Sequence, residues 1–183
     1  MKVAVCEYGA GNVRSVLVAF GRLGADARLT GDHEDVARAD LAVLPGVGSA
    51  RSAMEGLAAR GLDEALRERL GAGKPTLGIC LGLQLALESS EEDGGVPGLG
   101  LLPGRAVRLR RGRVPRIGWA RVEPTGDEYW FAHSYAAETP AATATSEDVV
   151  AVAESGSFLG VQFHPEKSGS AGARFLKRCL SHA

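Results

Sequence analysis

The amino-acid sequence predicts an α/β fold: a single domain in which helices flank a mostly parallel central sheet, with an antiparallel extension in the second half. In the first half, short apolar runs alternate with stretches of helical periodicity, which is typical of a parallel sheet. In the second half, strand-like segments follow one another with short connections. The length of 183 residues fits one domain, so we place residues 1–183 in a single unit.

The first half is a series of strand and helix units. An apolar run at 3–5 ends in a glycine-rich turn, and apolar residues between Val13 and Leu23 then recur at helical spacing. Further strands are predicted at 25–30, 40–44 and 76–80, and further helices at 52–59, 62–70 and 81–88. Because strands that alternate with helices usually pair in parallel, we expect helices on both faces of the sheet.

The second half differs in its pattern, and a turn-rich stretch at 89–100 marks the change. The strands predicted after it are 106–110, 118–123, 130–136, 149–153 and 158–164. Because the connections between them are short, we expect antiparallel pairs. Apolar spacing at 171–180 predicts a closing helix.

Composition and charge exclude several classes of protein. Hydrophobic residues make up 45% of the chain and charged residues 23%, which is enough apolar material for a core and excludes disorder as the main state. A net charge of −1 argues against a protein that coats nucleic acid. We interpret the arginine-rich stretch at 105–116 as a solvated surface, with steering toward an acidic partner or substrate as the alternative. The sequence contains no segment long and apolar enough to predict a membrane span.

Cysteine usage indicates a reducing compartment. Cys6, Cys80 and Cys179 are odd in number and widely spaced, which fits neither a disulfide framework nor a zinc site. The first residues lack the pattern of a signal peptide. We therefore expect a cytoplasmic protein that uses no metal.

Cys80 is the first candidate catalytic residue. It is the central residue of GICLG at 78–82, a pattern in which small flanking residues let a strand turn sharply into a helix and expose a nucleophile at the bend. A thiol at the start of a helix is favoured as thiolate, and the backbone N–H of Leu81 is available to an oxyanion. The alternative is a small core cysteine between closely packed glycines.

His164 and Glu166 supply a candidate base and its carboxylate. They follow a predicted strand in VQFHPE at 161–166, where a period of two places both side chains on the same side. Glu166 is then able to orient the imidazole toward Cys80, as the third member of a triad does. The alternative is an ordinary surface pair of a histidine and a glutamate.

Six segments of the chain resemble one family. The sequences GICLGLQL and GVQFHPEKS are similar to those of class I glutamine amidotransferases, which use a Cys-His-Glu triad on an α/β fold. Four more segments, YGAGNVRSV at 8–16, PGVG at 45–48, VPRIGW at 114–119 and HSY at 133–135, resemble the glutaminase subunits of imidazole glycerol phosphate synthase. The resemblance extends through nearly the entire chain.

This resemblance implies a function and a role for each matching residue. The implied reaction is hydrolysis of L-glutamine to L-glutamate and ammonia, with Cys80, His164 and Glu166 as the triad and no cofactor. The oxyanion hole is implied at Val47, Gly48 and Leu81, and the substrate-binding residues at Gly48, Gln84, His133, Ser134 and Tyr135.

The resemblance also implies a partner. Ammonia would pass to a cyclase subunit with a (β/α)8 barrel, which forms imidazole glycerol phosphate in histidine biosynthesis. The residues implied to face that partner are Tyr8, Asn12, Trp119 and Lys167. A glutaminase of another synthase, a free-standing γ-glutamyl hydrolase and a catalytically silent scaffold remain alternatives, since function belongs to sites rather than to folds.

Overall fold

The structure, a computed structural model, describes residues 1–9 and 13–183. In chain order its elements are β1 (Lys2–Cys6), α1 (Val13–Arg22), β2 (Asp26–Thr30), α2 (His33–Arg38), β3 (Leu41–Leu44), α3 (Ala50–Ala58), α4 (Leu62–Gly71), β4 (Thr76–Ile79), α5 (Leu81–Ala86), β5 (Ser89–Ser90), β6 (Val96–Pro97), β7 (Arg105–Arg108), β8 (Arg116–Val122), β9 (Asp127–His133), β10 (Tyr135–Glu138), β11 (Ala142–Ser146), β12 (Val149–Ser155), β13 (Phe158–Val161) and α6 (Gly169–Ser181). Short 3₁₀ turns lie at Glu92–Gly94 and Pro165–Lys167.

The described chain is built around a seven-stranded sheet with the order β11-β12-β13-β4-β3-β1-β2. The pairs from β13 to β2 are parallel, whereas β11, β12 and β13 pair antiparallel. A four-stranded sheet, β10-β7-β5-β6, and the hairpin β8-β9 lie outside the central sheet. The predicted fold class is therefore confirmed, including the antiparallel extension in the second half.

Helices cover both faces of the central sheet, which explains why β3 and β4 consist of buried residues only. One core cluster joins the sheet to α2, α3, α4 and α5. The other joins the opposite face to α1, α6 and β9, where Phe20, Phe131, Phe163 and Phe175 supply much of the packing volume. The carboxyl ends of β1, β3 and β4 lead into the loops that contain the candidate site residues.

Several boundaries differ from the sequence prediction. The strand predicted at 130–136 is two strands, since the chain turns at Ser134 and passes from the hairpin to the four-stranded sheet. The strand predicted at 158–164 ends at Val161. Helix α2 and strands β5, β6 and β11 were missed because each is only two to six residues long, too short for a period to be read.

Arg69 is a buried cation that holds the amino-terminal edge of the sheet together. Its side chain is on α4 and is 1% exposed. The guanidinium donates hydrogen bonds to the carbonyl oxygens of Val36 and Ala39, each at 2.8 Å, and of Pro75 at 2.5 Å. Burial lowers the pKa of Arg69. These bonds join the end of α2 to the start of β4.

We expect Arg69→Met to lower the free energy of unfolding by at least about 3 kcal/mol, because a buried carbonyl left without a donor costs about 1–3 kcal/mol and several lose theirs together. Arg38→Met on the neighbouring helix α2 is the control. Arg38 forms an exposed i,i+4 pair with Glu34, so its loss should cost below about 1 kcal/mol. Urea unfolding of both variants checks this, and equal losses would contradict it.

Within residues 1–9 and 13–183, no helix combines the length and the apolar character needed to cross a membrane.

Candidate active site

Cys80 lies at the junction of β4 and α5 in a strained conformation. Its φ of 53° and ψ of −105° are unusual for a residue with a side chain. Neighbouring glycines make this turn possible: a Cβ at Gly78 would lie 2.7 Å from the ring of Phe158, and a Cβ at Gly82 would overlap the carbonyl oxygen of Leu44. The GICLG pattern therefore packs the start of α5 directly against β3 and β4.

His164 is fixed by its backbone as well as by its ring. Its N–H donates to the carbonyl oxygen of Trp130 at 2.8 Å, and its carbonyl oxygen accepts from the hydroxyl of Ser168 at 2.6 Å. The Ser168 hydroxyl accepts in turn from the Trp130 N–H at 2.9 Å. These bonds tie His164 to β9 and to the turn that begins α6.

The structure brings His164 and Glu166 together, as their spacing predicted. The ring Nδ1 lies 2.8 Å from Oε1 of Glu166, and the two side chains are only 3% and 4% exposed. The expected cause is wrong, however. Since β13 ends at Val161, a 3₁₀ turn that begins at Pro165, and not strand alternation, brings the carboxylate back beneath the ring.

The electrostatics of His164 favour its protonated form. Burial alone would lower the pKa of His164, but the interactions with Cys80 and Glu166, the latter through a hydrogen bond, outweigh burial and raise it to about 9. Among the described residues, Nε2 makes no hydrogen bond within the usual limits. Cys80 thus contributes to the raised pKa of His164, although Nε2 and Sγ form no hydrogen bond within those limits.

The sulfur of Cys80 has two other polar neighbours. Sγ lies 3.8 Å from the carbonyl oxygen of Ala132 and 3.6 Å from Nε2 of Gln162. Gln162 was missed by the sequence analysis. The signal that points to it is its position two residues before His164 in VQFHPE, but its contact with Cys80 depends on the pairing of β13 with β4.

The 45–48 loop, which contains two of the predicted oxyanion residues, packs on the start of α5. A Cβ at Gly46 would lie 2.6 Å from Cβ of Leu81 and 3.1 Å from the backbone nitrogen of Gly82. Gly48 has a φ of 120°, which favours glycine, and Val47 is 40% exposed. As the first residue of α5, Leu81 has an N–H with no acceptor within the helix. The loop that contains Val47 and Gly48 therefore packs, through Gly46, against the residues that begin α5.

Two of the predicted substrate-binding residues are deeply buried. Gln84 and His133 are each 5% exposed, whereas Ser134 and Tyr135 are half-buried at the corner between β9 and β10. The carbonyl oxygen of Tyr135 lies 2.8 Å from Nε2 of Gln84 and 2.9 Å from Nδ1 of His133. Both side chains therefore hold the corner in position. The described contacts do not join Gly48 to this corner.

The predicted partner-facing residues divide into three groups. Trp119 is 55% exposed and Lys167 is also exposed. The prediction for Tyr8 is wrong: it is 2% exposed, and its hydroxyl donates to the carbonyl oxygen of Pro45. Tyr8 is buried because it follows β1 and lies beneath the 45–48 loop. Asn12 lies outside the described residues.

Glu92 and Asp93 also support the site, and the sequence analysis did not use them. Glu92 accepts from the N–H of Ala50 at 2.9 Å, and Asp93 accepts from the N–H of Arg51 at 3.1 Å. Burial raises the pKa of Glu92. The two carboxylates hold the start of α3, which directly follows the 45–48 loop. The sequence feature that points to these two residues is the acidic cluster at 91–93 in the turn-rich stretch.

The two buried histidines should titrate on opposite sides of the ordinary value of 6.5. Burial lowers the pKa of His133 to about 4, whereas that of His164 is raised to about 9. By linkage, His133 stabilises the fold above pH 6.5 and this contribution is lost as the pH falls toward 4. His164 stabilises it below pH 6.5 and this contribution is lost as the pH rises through 9.

We expect NMR titration of the histidine rings to resolve one midpoint near 4 and one near 9. Substitutions His133→Asn and His164→Asn assign them. Midpoints near 6.5 assigned to His133 and His164 in the folded protein would contradict the described burial and pairing.

Known proteins that are similar to this chain in sequence or in fold are glutamine amidotransferases. Residues 4–183 match the family model of glutamine amidotransferase class-I. A crystal structure described as a glutamine amidotransferase has the same fold, with a TM-score of 0.82, 21% identity and 99% of each chain covered.

Relatives with higher sequence identity identify one family within this class. The imidazole glycerol phosphate synthase subunit HisH of Symbiobacterium thermophilum is 45% identical over 96% of this chain and 91% of its own. The subunit of the same name from Methanothermobacter thermautotrophicus is 44% identical over 96% of each chain. The chain therefore belongs to the class I glutamine amidotransferases and, within them, to the family of HisH subunits.

Proposed function

We propose that this protein is the glutaminase subunit of an imidazole glycerol phosphate synthase. It hydrolyses L-glutamine to L-glutamate and ammonia, and the ammonia passes to a cyclase subunit in histidine biosynthesis. The observation that carries the proposal is the buried His164–Glu166 pair, 2.8 Å apart, beside a cysteine held in a strained turn at the start of α5.

Cys80 is the nucleophile of the proposed reaction. His164 holds the proton of the Cys80 thiol on Nε2 as Sγ attacks the side-chain carboxamide carbon of glutamine. The same proton then moves from His164 to the departing nitrogen, so that ammonia leaves and a γ-glutamyl thioester remains. His164 next takes a proton from water, which attacks the thioester, and returns it to the sulfur as glutamate leaves.

Glu166 orients and stabilises the ring without exchanging protons. Its carboxylate accepts from Nδ1, which leaves Nε2 to face the thiol and favours the imidazolium that forms during both steps. Its near-complete burial strengthens this interaction, since little water competes for the ring.

The oxyanion of both tetrahedral intermediates is bound by backbone N–H groups. Leu81 supplies one donor, and Val47 or Gly48 supplies another from the loop packed on α5. One such donor is typically worth about 2.7–4 kcal/mol in the transition state. The absence of a side chain at Gly46 lets this loop approach the helix closely, since a Cβ there would lie 2.6 Å from Cβ of Leu81.

Gly48, Gln84, His133, Ser134 and Tyr135 form the proposed glutamine pocket. Half-buried Ser134 and Tyr135 offer polar groups to the α-amino and α-carboxylate ends of the substrate. Gln84 and His133 keep that corner in place through the carbonyl oxygen of Tyr135.

The proposed partner is a cyclase subunit with a (β/α)8 barrel, and β8 is the surface that it covers. Ile117 and Trp119 project from this strand and are 63% and 55% exposed, and large apolar side chains of this kind are usual interface anchors. Lys167 adds a positive charge beside the triad. We place residues 1–183 in one domain and the protein in the cytoplasm, which is in keeping with its free cysteines.

The test is glutamate release from glutamine by the protein alone and with a barrel cyclase and its nucleotide substrate. Stimulation by the cyclase is expected. Trp119→Ala should weaken it at subsaturating cyclase, whereas Leu29→Ala, which removes a 39%-exposed side chain from the edge strand β2, should not. Rapid turnover that ignores the cyclase would favour a free-standing hydrolase or the subunit of another synthase, and no turnover would favour a silent scaffold.

A further inference from the structure

Two buried glutamines form a chain of hydrogen bonds that ends on the sulfur of Cys80. Nε2 of Gln84 donates to the carbonyl oxygen of Tyr135 at 2.8 Å and to Oε1 of Gln162 at 3.2 Å. Nε2 of Gln162 then lies 3.6 Å from Sγ of Cys80. Gln84 is 5% exposed and Gln162 is fully buried, so water does not compete along this chain.

The chemistry of the partners fixes the direction of both amides. A backbone carbonyl is only an acceptor, so Tyr135 requires the amide nitrogen of Gln84, not its oxygen, on that side. That nitrogen is a donor, and it therefore requires the oxygen of Gln162 opposite it. The nitrogen of Gln162 is then left to face Cys80, and the sulfur must accept.

We propose that Gln162 is a further catalytic residue, which donates a hydrogen bond from Nε2 to the Cys80 thiolate, and that Gln84 is the positioning residue that sets its amide. The inference rests on the proposed function for the role of Cys80 as nucleophile.

A donor aimed at sulfur favours the reactive form of the cysteine. A neutral thiol is a weak acceptor, whereas a thiolate carries a full negative charge, so the bond strengthens when the proton leaves. The carbonyl oxygen of Ala132, 3.8 Å from Sγ, accepts from the thiol but repels the thiolate. Gln162 offsets that repulsion from inside the protein and leaves the substrate side of the sulfur free.

The test compares Gln162→Met with the wild type. Methionine keeps the approximate volume and removes the donor. The readout is the rate of alkylation of Cys80 by iodoacetamide between pH 6 and 9, followed by peptide mass spectrometry. Cys6 and Cys179 are a silent background, since burial raises the pKa of each to about 12.

We expect alkylation of the Met variant to fall about tenfold at pH 7 and its half-maximum to move to higher pH, because a hydrogen bond to a charged group is worth at least one factor of ten. In glutamine hydrolysis, kcat should fall by a similar factor with KM within about twofold. Gln84→Met should show a smaller fall in alkylation, since the amide of Gln162 is then free to turn.

Thr76→Val is the matched control, because it removes another buried polar group, 4% exposed, from the far end of β4. It should leave alkylation unchanged. If the Met variant does not fold, Gln162→Leu removes the donor with a smaller apolar side chain and carries the test. Wild-type alkylation in a folded variant that lacks the donor would overturn the inference. That result would not affect the proposed function. Conversely, the absence of glutaminase activity in the wild-type protein would overturn the proposed function without affecting the alkylation result.

Discussion

Cys80→Ala should abolish glutamine hydrolysis while the protein remains folded. The thiol supplies the attacking sulfur of the proposed reaction, so we expect kcat to fall by at least about 10⁴-fold. The loss of stability should be small, because only one buried sulfur atom is removed and the backbone keeps its turn.

Glutamate release under cyclase stimulation measures this effect, with circular dichroism and thermal unfolding as checks of the fold. Cys179→Ala is the matched control, since it removes a second buried thiol from α6, away from the site. The account is wrong if Cys80→Ala retains more than a few per cent of turnover, or if Cys179→Ala loses as much.

His164→Ala should have the second largest effect, and Glu166→Ala should be less damaging. Loss of His164 removes both proton transfers, each of which contributes about 10²–10⁴-fold, so a fall of about 10³-fold or more is expected. Glu166 acts through the ring, and water is able to replace part of its role, so a fall of about 10- to 100-fold is expected.

The pKa of His164 in the Glu166→Ala variant distinguishes a loss of ring orientation from a general loss of structure. Because Glu166 raises the pKa of His164, the NMR midpoint of that ring should move down from about 9 in Glu166→Ala, while the midpoint of His133 stays near 4. An unchanged His164 midpoint, or equal collapse of activity in both variants, would contradict the roles assigned here.

The candidate triad residues were predictable from the sequence because each of the two motifs that contain them is local. GICLG determines a turn through the small size of its own glycines, and HPE places the base and the carboxylate within one short turn. The parallel core was predictable for the same reason, since β3 and β4 are continuous apolar runs between helical segments.

Contacts between distant segments were not predictable. Gln162 reaches Cys80 only because β13 pairs with β4, and Tyr8 is buried only because the end of β1 lies beneath the loop after β3. Arg69 would be read as an exposed helix residue, yet it satisfies carbonyl groups from two other segments. In each case the contacting residue lies about 6 to 80 residues away in the chain. The periodicity of the local sequence therefore does not predict the contact.

The most direct test of the central claim is to trap the intermediate on Cys80. Stimulated enzyme is mixed with glutamine, quenched in acid within the first turnovers, digested and analysed by mass spectrometry. We expect a γ-glutamyl group on the peptide that contains Cys80, and a larger fraction of it in Glu166→Ala if hydrolysis slows more than acylation. Glutamate formation without any adduct on Cys80, or an adduct on Cys6 or Cys179 instead, would contradict the account.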